Sequence, residues 1–150
     1  MGTKNLYDSF EKHLVALDCI IFGYDENELK ILLIKRGFDP EMGQWSLMGG
    51  FLKQKESLQA AAERILYTLT GLQNAYLEQL YAYGDVDRDP TARTISVAYY
   101  SLIKINGFDK QLTQQHNAAW FSVKKIPKLI FDHAEMVRAA LNRLRNKART

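Results

Sequence analysis

The sequence holds a single cysteine, Cys19, so it can build neither an internal disulfide nor a cysteine-rich zinc site. Cys19 sits within an apolar run and reads as a buried core thiol. No two of the three histidines, His13, His116 and His133, have metal-ligand spacing. No apolar run approaches the ~20 residues that a membrane span needs. The lead from Met1 to His13 is too polar and too mixed in charge for a signal peptide. A cytoplasmic protein without membrane contact is therefore expected. Repeats and low-complexity stretches are absent. Net charge is also low, at +3, which by itself does not argue for nucleic acid. The positive charge gathers at one end, in Arg138, Arg143, Arg145, Lys147 and Arg149. That run reads either as a solvated helix face or as a connector toward a basic partner or a further domain.

What is present suits one ordinary globular domain: 150 residues, 47% hydrophobic and 25% charged. Leu14 to Gly23 and Leu29 to Lys35 are apolar runs split by a polar turn, which predicts a hairpin. Gly43 and the Gly49-Gly50 pair bracket a short strand from Trp45 to Met48. Ser57 to Thr70 predicts a helix, with Leu58, Ala61, Ala62, Ile65, Leu66 and Leu69 on one face and Gly71 as its C-terminal cap. Strands are expected at Tyr76 to Tyr83, Thr94 to Ile105 and Ala119 to Val123. Asp132 and Glu135 have capping-box spacing and open a last amphipathic helix, with Met136, Val137, Ala140, Leu141 and Leu144 on one face. The expected architecture is mixed α/β of the α+β kind, with about two main helices on a mostly antiparallel sheet.

One stretch carries more specific information. Gly50, Glu56, Arg64, Leu66, Gly71 and Leu72 fit a pattern of Gly, five residues, Glu, seven residues, then Arg-Glu-aliphatic-any-Glu-Glu-any-Gly-aliphatic. The setting of strand, Gly-Gly loop and helix fits too. This stretch resembles the Nudix box, and so implies a Nudix fold, a mostly antiparallel mixed sheet sandwiched by helices. The box's three later glutamates fall on Ile65, Thr68 and Leu69. Carboxylates at i, i+3 and i+4 share a helix face and make an oxygen-rich Mg²⁺ site; Ile and Leu offer no ligand atom, and one Thr hydroxyl is a poor substitute. The resemblance thus implies a degenerate box with no metal and no catalytic residues, and Mg²⁺ enters only if the chain is a hydrolase after all. Of the retained positions, Gly50, Glu56, Arg64 and Gly71 are expected to be structural. Glu56 and Arg64 brace the loop against the helix or, alternatively, touch ligand.

The rest of the chain resembles one branch of the family. Lys35-Arg36 with Gly43 to Gly50, Gly84 to Pro90 with Ser96 to Tyr100, and Ala119-Trp120 with Pro127 to His133 are similar to the Nudix-related transcriptional regulators of the NrtR and AraR group. Asp18 to Gly23, His116 to Ala118 and Phe131 to His133 are most like the arabinose-responsive AraR type. The resemblance covers an effector domain at residues 14–148, after a polar lead at 1–13. In that group a winged-helix DNA-binding domain follows. This sequence stops at Thr150, where that domain would begin, so DNA contact is expected only through a domain that the chain lacks.

The resemblance implies a ligand-sensing domain rather than an enzyme, with a pentose sugar or an ADP-ribose-like nucleotide as effector and a homodimer as the assembly. Tyr81, Tyr83, Tyr99 and Tyr100 exceed what one small core needs and are the residues that suggest pairing. The rival reading is an ADP-ribose pyrophosphatase-like hydrolase; a third is an interaction module that reuses the fold. The expected ligand-binding residues are Lys35, Arg36, Trp45, Gly49, Gly50, Asp85, Asp87 and Arg88. Trp45 offers an apolar face to a sugar ring or else belongs to the core. The Asp85 to Asp89 loop supplies acceptors and a guanidinium for hydroxyl groups, or else is only a turn held by Asp side chains. By the resemblance, His116 and Asn117 stand near where active Nudix enzymes often carry a late catalytic glutamate, but they read first as loop residues; His133 is expected to be structural.

Overall fold

The computed structural model describes residues 5–73 and 75–149. Residues 1–4 of the expected lead lie outside the described residues, as do Thr150 and the Arg149 side chain. The elements are β1 (Leu14–Asp25), β2 (Glu28–Lys35), β3 (Trp45–Ser46), β4 (Met48–Phe51), α1 (Leu58–Thr70), β5 (Glu78–Tyr83), β6 (Thr94–Lys104), α2 (Gly107–Gln115), β7 (Ala118–Ser122) and α3 (His133–Arg149). A short 3-10 turn, Leu6–Ser9, precedes them. All the strands form one mixed sheet with a main path β3-β2-β1-β6-β5. Only β1 and β6 among its paired strands run parallel. None of the described helices is long and apolar enough to cross a membrane.

The centre of the sheet is β1, buried on both faces along Leu17 to Gly23. Alternation along a strand sends successive side chains to opposite sides. Leu17, Cys19 and Ile21 join Ala61, Ala62, Ile65 and Leu66 of α1 in one core layer. Ile20 and Phe22 join Met136, Val137 and Ala140 of α3 in the other. Helices on both faces of one sheet give the sandwich that the box implied. Cys19 is fully buried; burial, aided by the Asp18 charge, pushes its thiol well above the ordinary range.

The edge of β1 is what opens a cavity. Its C-terminal half pairs with β2, from Phe22↔Ile31 to Asp25↔Glu28. Its N-terminal half pairs instead with β4, from Ala16↔Phe51 to Cys19↔Met48. β2 therefore leaves β1 partway along, and the far end of β2 and the β4 loop face each other across a gap. Trp45 to Met48, expected as one strand, is split at Leu47 by the same change of partner.

The expected Gly71 cap of α1 holds, and Ser57 supplies the N-terminal one. Ser57 Oγ accepts from Ala60 N, and Gly71 closes the helix at φ +77°, its N–H donating to Tyr67 O. The Asp132 capping box does not form as expected. The Asp132 carboxylate is taken by Arg88, and only its backbone carbonyl accepts from Glu135 N and Met136 N. α2 was not foreseen. It has few apolar residues, and Asn106 Oδ1 caps it by accepting from Asp109 N at 2.7 Å. The basic end of α3 is not purely a solvated face: Lys147 pairs with Glu78, and Arg143 donates to Leu80 O, both in β5. Tyr99 and Tyr100 are buried, one in each core layer, and so say nothing of pairing; Tyr81 is the most exposed of the four tyrosines.

Candidate functional site

A cavity of about 390 Å³ occupies the gap between β2 and β4. Its rim is Lys35, Arg36, Gly37 and Phe38 at the end of β2. One wall is Gly49, Gly50 and Phe51 of β4 with Leu69 of α1. Another is Arg88 and Asp89, and Phe131 and His133 close it at the start of α3. Asp18, Thr94 and Ser96 lie on the sheet beneath. The loop after β2 is pinned at its base: Arg36 N donates to Gln44 O at 2.8 Å and Gly43 N to Arg36 O at 2.7 Å.

Lys35, Arg36, Gly49, Gly50 and Arg88 all line this cavity, as the sequence suggested. Three expected ligand residues do not. Trp45 meets Phe121 edge-on, with centroids 4.9 Å apart, and packs with the α3-side core. Its neighbour Ser46 takes the cavity side, because adjacent strand residues point opposite ways. Asp85 and Asp87 are exposed and line no part of the cavity. They belong to a turn in which Asp87 has φ +67°, Asp89 Oδ1 accepts from Thr91 N, and Arg93 Nη1 ties Gly84 O and Asp85 O together.

Glu56 and Arg64 brace the loop and do not reach the cavity. Glu56 accepts from Arg64 Nε at 2.9 Å and Arg64 Nη2 at 2.6 Å, and from Lys53 N at 2.8 Å; Arg64 Nη2 also donates to Phe51 O. The Arg64 hydrogen bonds draw the Glu56 carboxyl down to about 2.

The positions of the family's metal carboxylates divide three ways. Ile65 is 3% exposed and packs on Gly50, where an added Cβ would lie 2.9 Å from Ile65 Cγ1. Thr68 is exposed, and Leu69 is an apolar part of the cavity wall. These groups do not fit a hard cation, which needs several oxygen ligands. Among the described residues no three His, Cys, Asp or Glu side chains cluster as a metal site would require.

The cationic side chains are held in two ways. The Arg36 guanidinium lies over the Phe38 ring, 4.3 Å from its centroid, and 5.4 Å from that of Phe131. Its Nε is buried with no hydrogen-bond partner among the described residues. Arg88 instead forms a fork with Asp132, with Nε to Oδ2 at 2.8 Å and Nη2 to Oδ1 at 2.7 Å. Burial works against the Arg88 charge, but the Asp132 hydrogen bonds and the Asp132, Asp18 and Asp89 charges outweigh it. Phe131 adopts φ +48°, a costly conformation for a bulky residue, at the cavity wall.

His133 is buried. Its Nδ1 accepts from Leu47 N at 3.2 Å, so the proton of the neutral ring sits on Nε2, 3.5 Å from Asp18 Oδ1. Burial drives its pKa below the ordinary 6.5, more strongly than Asp18 and Asp132 raise it. The unfolded chain then binds a proton more readily than the folded one, so stability should be constant above about pH 6.5 and fall as pH drops below it. Chemical denaturation between pH 7.5 and 5 should show this slope in the wild type and a shallower one in His133→Gln; equal slopes would place the acid sensitivity elsewhere.

Sequence reasoning missed Asp18, Thr94, Ser96, Phe38 and Phe131 as parts of the site. Asp18 alone gave a signal: it is a lone carboxylate in the apolar run Leu14 to Gly23.

The NUDIX domain model matches residues 12–140. The ADPR-responsive transcriptional repressor NtrR of Acinetobacter baylyi is 36% identical over 140 residues, spanning 91% of this chain and 56% of that protein. The chain thus spans little more than half the length of this curated relative. An ADP-ribose pyrophosphatase of Methanocaldococcus jannaschii is 36% identical over 124 residues, spanning 83% of this chain and 70% of the enzyme. The NUDIX domain of Shewanella oneidensis NrtR, solved in complex with ADP ribose, superposes with a TM-score of 0.79 at 30% identity, over 91% of this chain and 92% of that one.

Proposed function

Because this chain belongs to the Nudix family, we propose that it is the effector-binding part of a transcription regulator and that its cavity binds ADP-ribose or a related sugar nucleotide without hydrolysing it. The observation that carries this reading is the composition of the cavity wall. Where the box calls for carboxylates, α1 presents Leu69, while the opposite rim carries Lys35 and Arg36 beside Phe38 and Phe131. A diphosphate normally needs a cation between itself and carboxylates. Here fixed protein cations meet it directly, and the aromatic rings offer faces to a base or ribose. The match to an ADPR-responsive repressor and to a domain solved with ADP ribose supports the choice of ligand.

A free pentose is the second reading, favoured by the polar floor of the cavity. Hydrolysis, which the pyrophosphatase relative suggests, is disfavoured by the donor set at residues 65, 68 and 69. For the whole regulator we propose a homodimer that reaches DNA through a winged-helix domain following α3; light scattering of the domain at high micromolar concentration tests the pairing.

A thermal-shift series tests the ligand assignment. A ligand that binds only the folded state, at a hundred times its Kd, stabilises by about 2.7 kcal/mol, or roughly 5–10 °C for a domain of this size. ADP-ribose should give such a shift in EDTA and in Mg²⁺ alike. A shift that appears only with Mg²⁺ would contradict the metal-free site.

A further inference from the structure

The side of the sheet that faces α3 changes character along its length. On β1 it reads Ala16, Asp18, Ile20 and Phe22, and on the parallel neighbour β6 it reads Thr94, Ser96, Ala98 and Tyr100, with Ala16 opposite Ser96 and Asp18 opposite Ala98. Ile20, Phe22, Ala98 and Tyr100 lie in the core beneath α3. Asp18, Thr94 and Ser96 line the cavity instead, yet each is at least 96% buried. The core stripe turns polar where the cavity begins.

Two of these groups lack hydrogen bonds. Among the described residues no donor is hydrogen-bonded to the Asp18 carboxylate; its nearest partner is His133 Nε2 at 3.5 Å. Nor does Ser96 Oγ have a hydrogen-bond partner among the described residues, whereas Thr94 Oγ1 donates to Ala92 O. A carboxylate held almost wholly out of water without donors is costly, and native proteins rarely keep one without a use. Space above it is also kept clear. A Cβ on Gly49 would stand 2.5 Å from Asp18 Oδ1.

We propose that Asp18, Ser96 and the unused edge of Arg88 form a subsite for the hydroxyl groups of a pentose ring. Asp18 accepts two O–H donors and Ser96 both donates and accepts. The Arg88 fork to Asp132 uses Nε and Nη2, so Nη1 takes no part in it, and Arg88 lines the cavity. Only a group rich in both donors and acceptors suits that set. A phosphate would meet the Asp18 charge, and an amine would meet the Arg88 charge. The subsite rests on the proposed use of this cavity and says which end of a sugar nucleotide enters first: the terminal ribose sits on the floor, with the diphosphate toward Arg36 and Lys35. A free pentose would present the same chemistry.

The test is calorimetry of ADP-ribose, ADP, D-ribose and L-arabinose on the wild type, Asp18→Asn and Ser96→Ala. Hydrogen bonds to a charged group account for about a tenfold to hundredfold effect. The wild type should prefer ADP-ribose over ADP by at least about tenfold, or bind a free pentose. Asp18→Asn should abolish that preference or that binding while leaving ADP within about threefold, and Ser96→Ala should weaken it severalfold in the same direction. The unliganded Asp18→Asn protein should melt no lower than the wild type, because it trades a largely buried charge without hydrogen bonds for a neutral amide. Should that variant fail to fold, Ser96→Ala carries the test alone. Retention of the full ADP-ribose preference in both variants would overturn the subsite while leaving nucleotide binding intact. Equal wild-type affinity for ADP-ribose and ADP, with no pentose bound, would do the same. Binding of a free pentose alone, lost in Asp18→Asn, would support the subsite and refute the nucleotide as ligand. Binding of none of the four would refute both.

Discussion

Arg88→Ala is expected to lower the unfolding free energy by about 3–5 kcal/mol, the usual cost of stripping one partner from a buried ion pair. The Arg88 side chain is 5% exposed and that of Asp132 18%, so the pair is largely withdrawn from solvent. The damage should concentrate where the pair acts, which is between the loop before β6 and the first turn of α3. Arg88→Lys keeps the charge but not the two-pronged geometry, and should fall between wild type and Arg88→Ala. Urea denaturation measures all three. A loss below about 1 kcal/mol in Arg88→Ala would class the pair with ordinary surface ion pairs.

Ile65→Glu should cost at least as much. The Ile65 side chain packs in the core layer under α1 and against the Gly50 backbone. Losing a buried aliphatic side chain costs about 2–5 kcal/mol, and placing a carboxylate there adds desolvation. Thr68→Glu, on the exposed side of the same helix, should change stability by less than about 1 kcal/mol. Denaturation midpoints of the two variants would show the contrast; similar small losses would mean that α1 can shift to expose position 65. Such a contrast would make a metal site hard to write back into α1. Writing glutamates back at 65, 68 and 69 should create metal affinity only if the core tolerates the first of them.

How much of this was legible before the structure depended on the range of the forces involved. α1 was readable to within a residue because its apolar spacing and the Gly71 cap act within one or two turns. The β1–β2 hairpin was readable for the same reason. α2 was not, because a short helix with almost no apolar face leaves no periodicity to find. The Asp132 cap was misassigned because its spacing is local while its partner, Arg88, lies 44 residues away. Trp45 failed as a cavity residue through strand alternation: a two-residue strand shows one side chain to each face, and sequence does not say which. Asp85 and Asp87 were reasonable by chemistry, but a left-handed turn at Asp87 leaves both outside the cavity. Asp18 shows the reverse. Its burial and lack of donors depend on β4 replacing β2 along the edge of β1, which only the assembled sheet reveals.

The proposed function requires the cavity to bind a sugar nucleotide through protein cations and hydroxyl contacts, with no metal ion and no turnover. The most direct measurement is calorimetric titration of ADP-ribose in EDTA and then in millimolar Mg²⁺, followed by chromatography of the recovered ligand. Saturable binding with the same affinity in both buffers, and ADP-ribose recovered intact, is the predicted result. Binding that requires Mg²⁺, or release of AMP and ribose phosphate at more than about 0.1 s⁻¹, within the ordinary enzyme range, would contradict it.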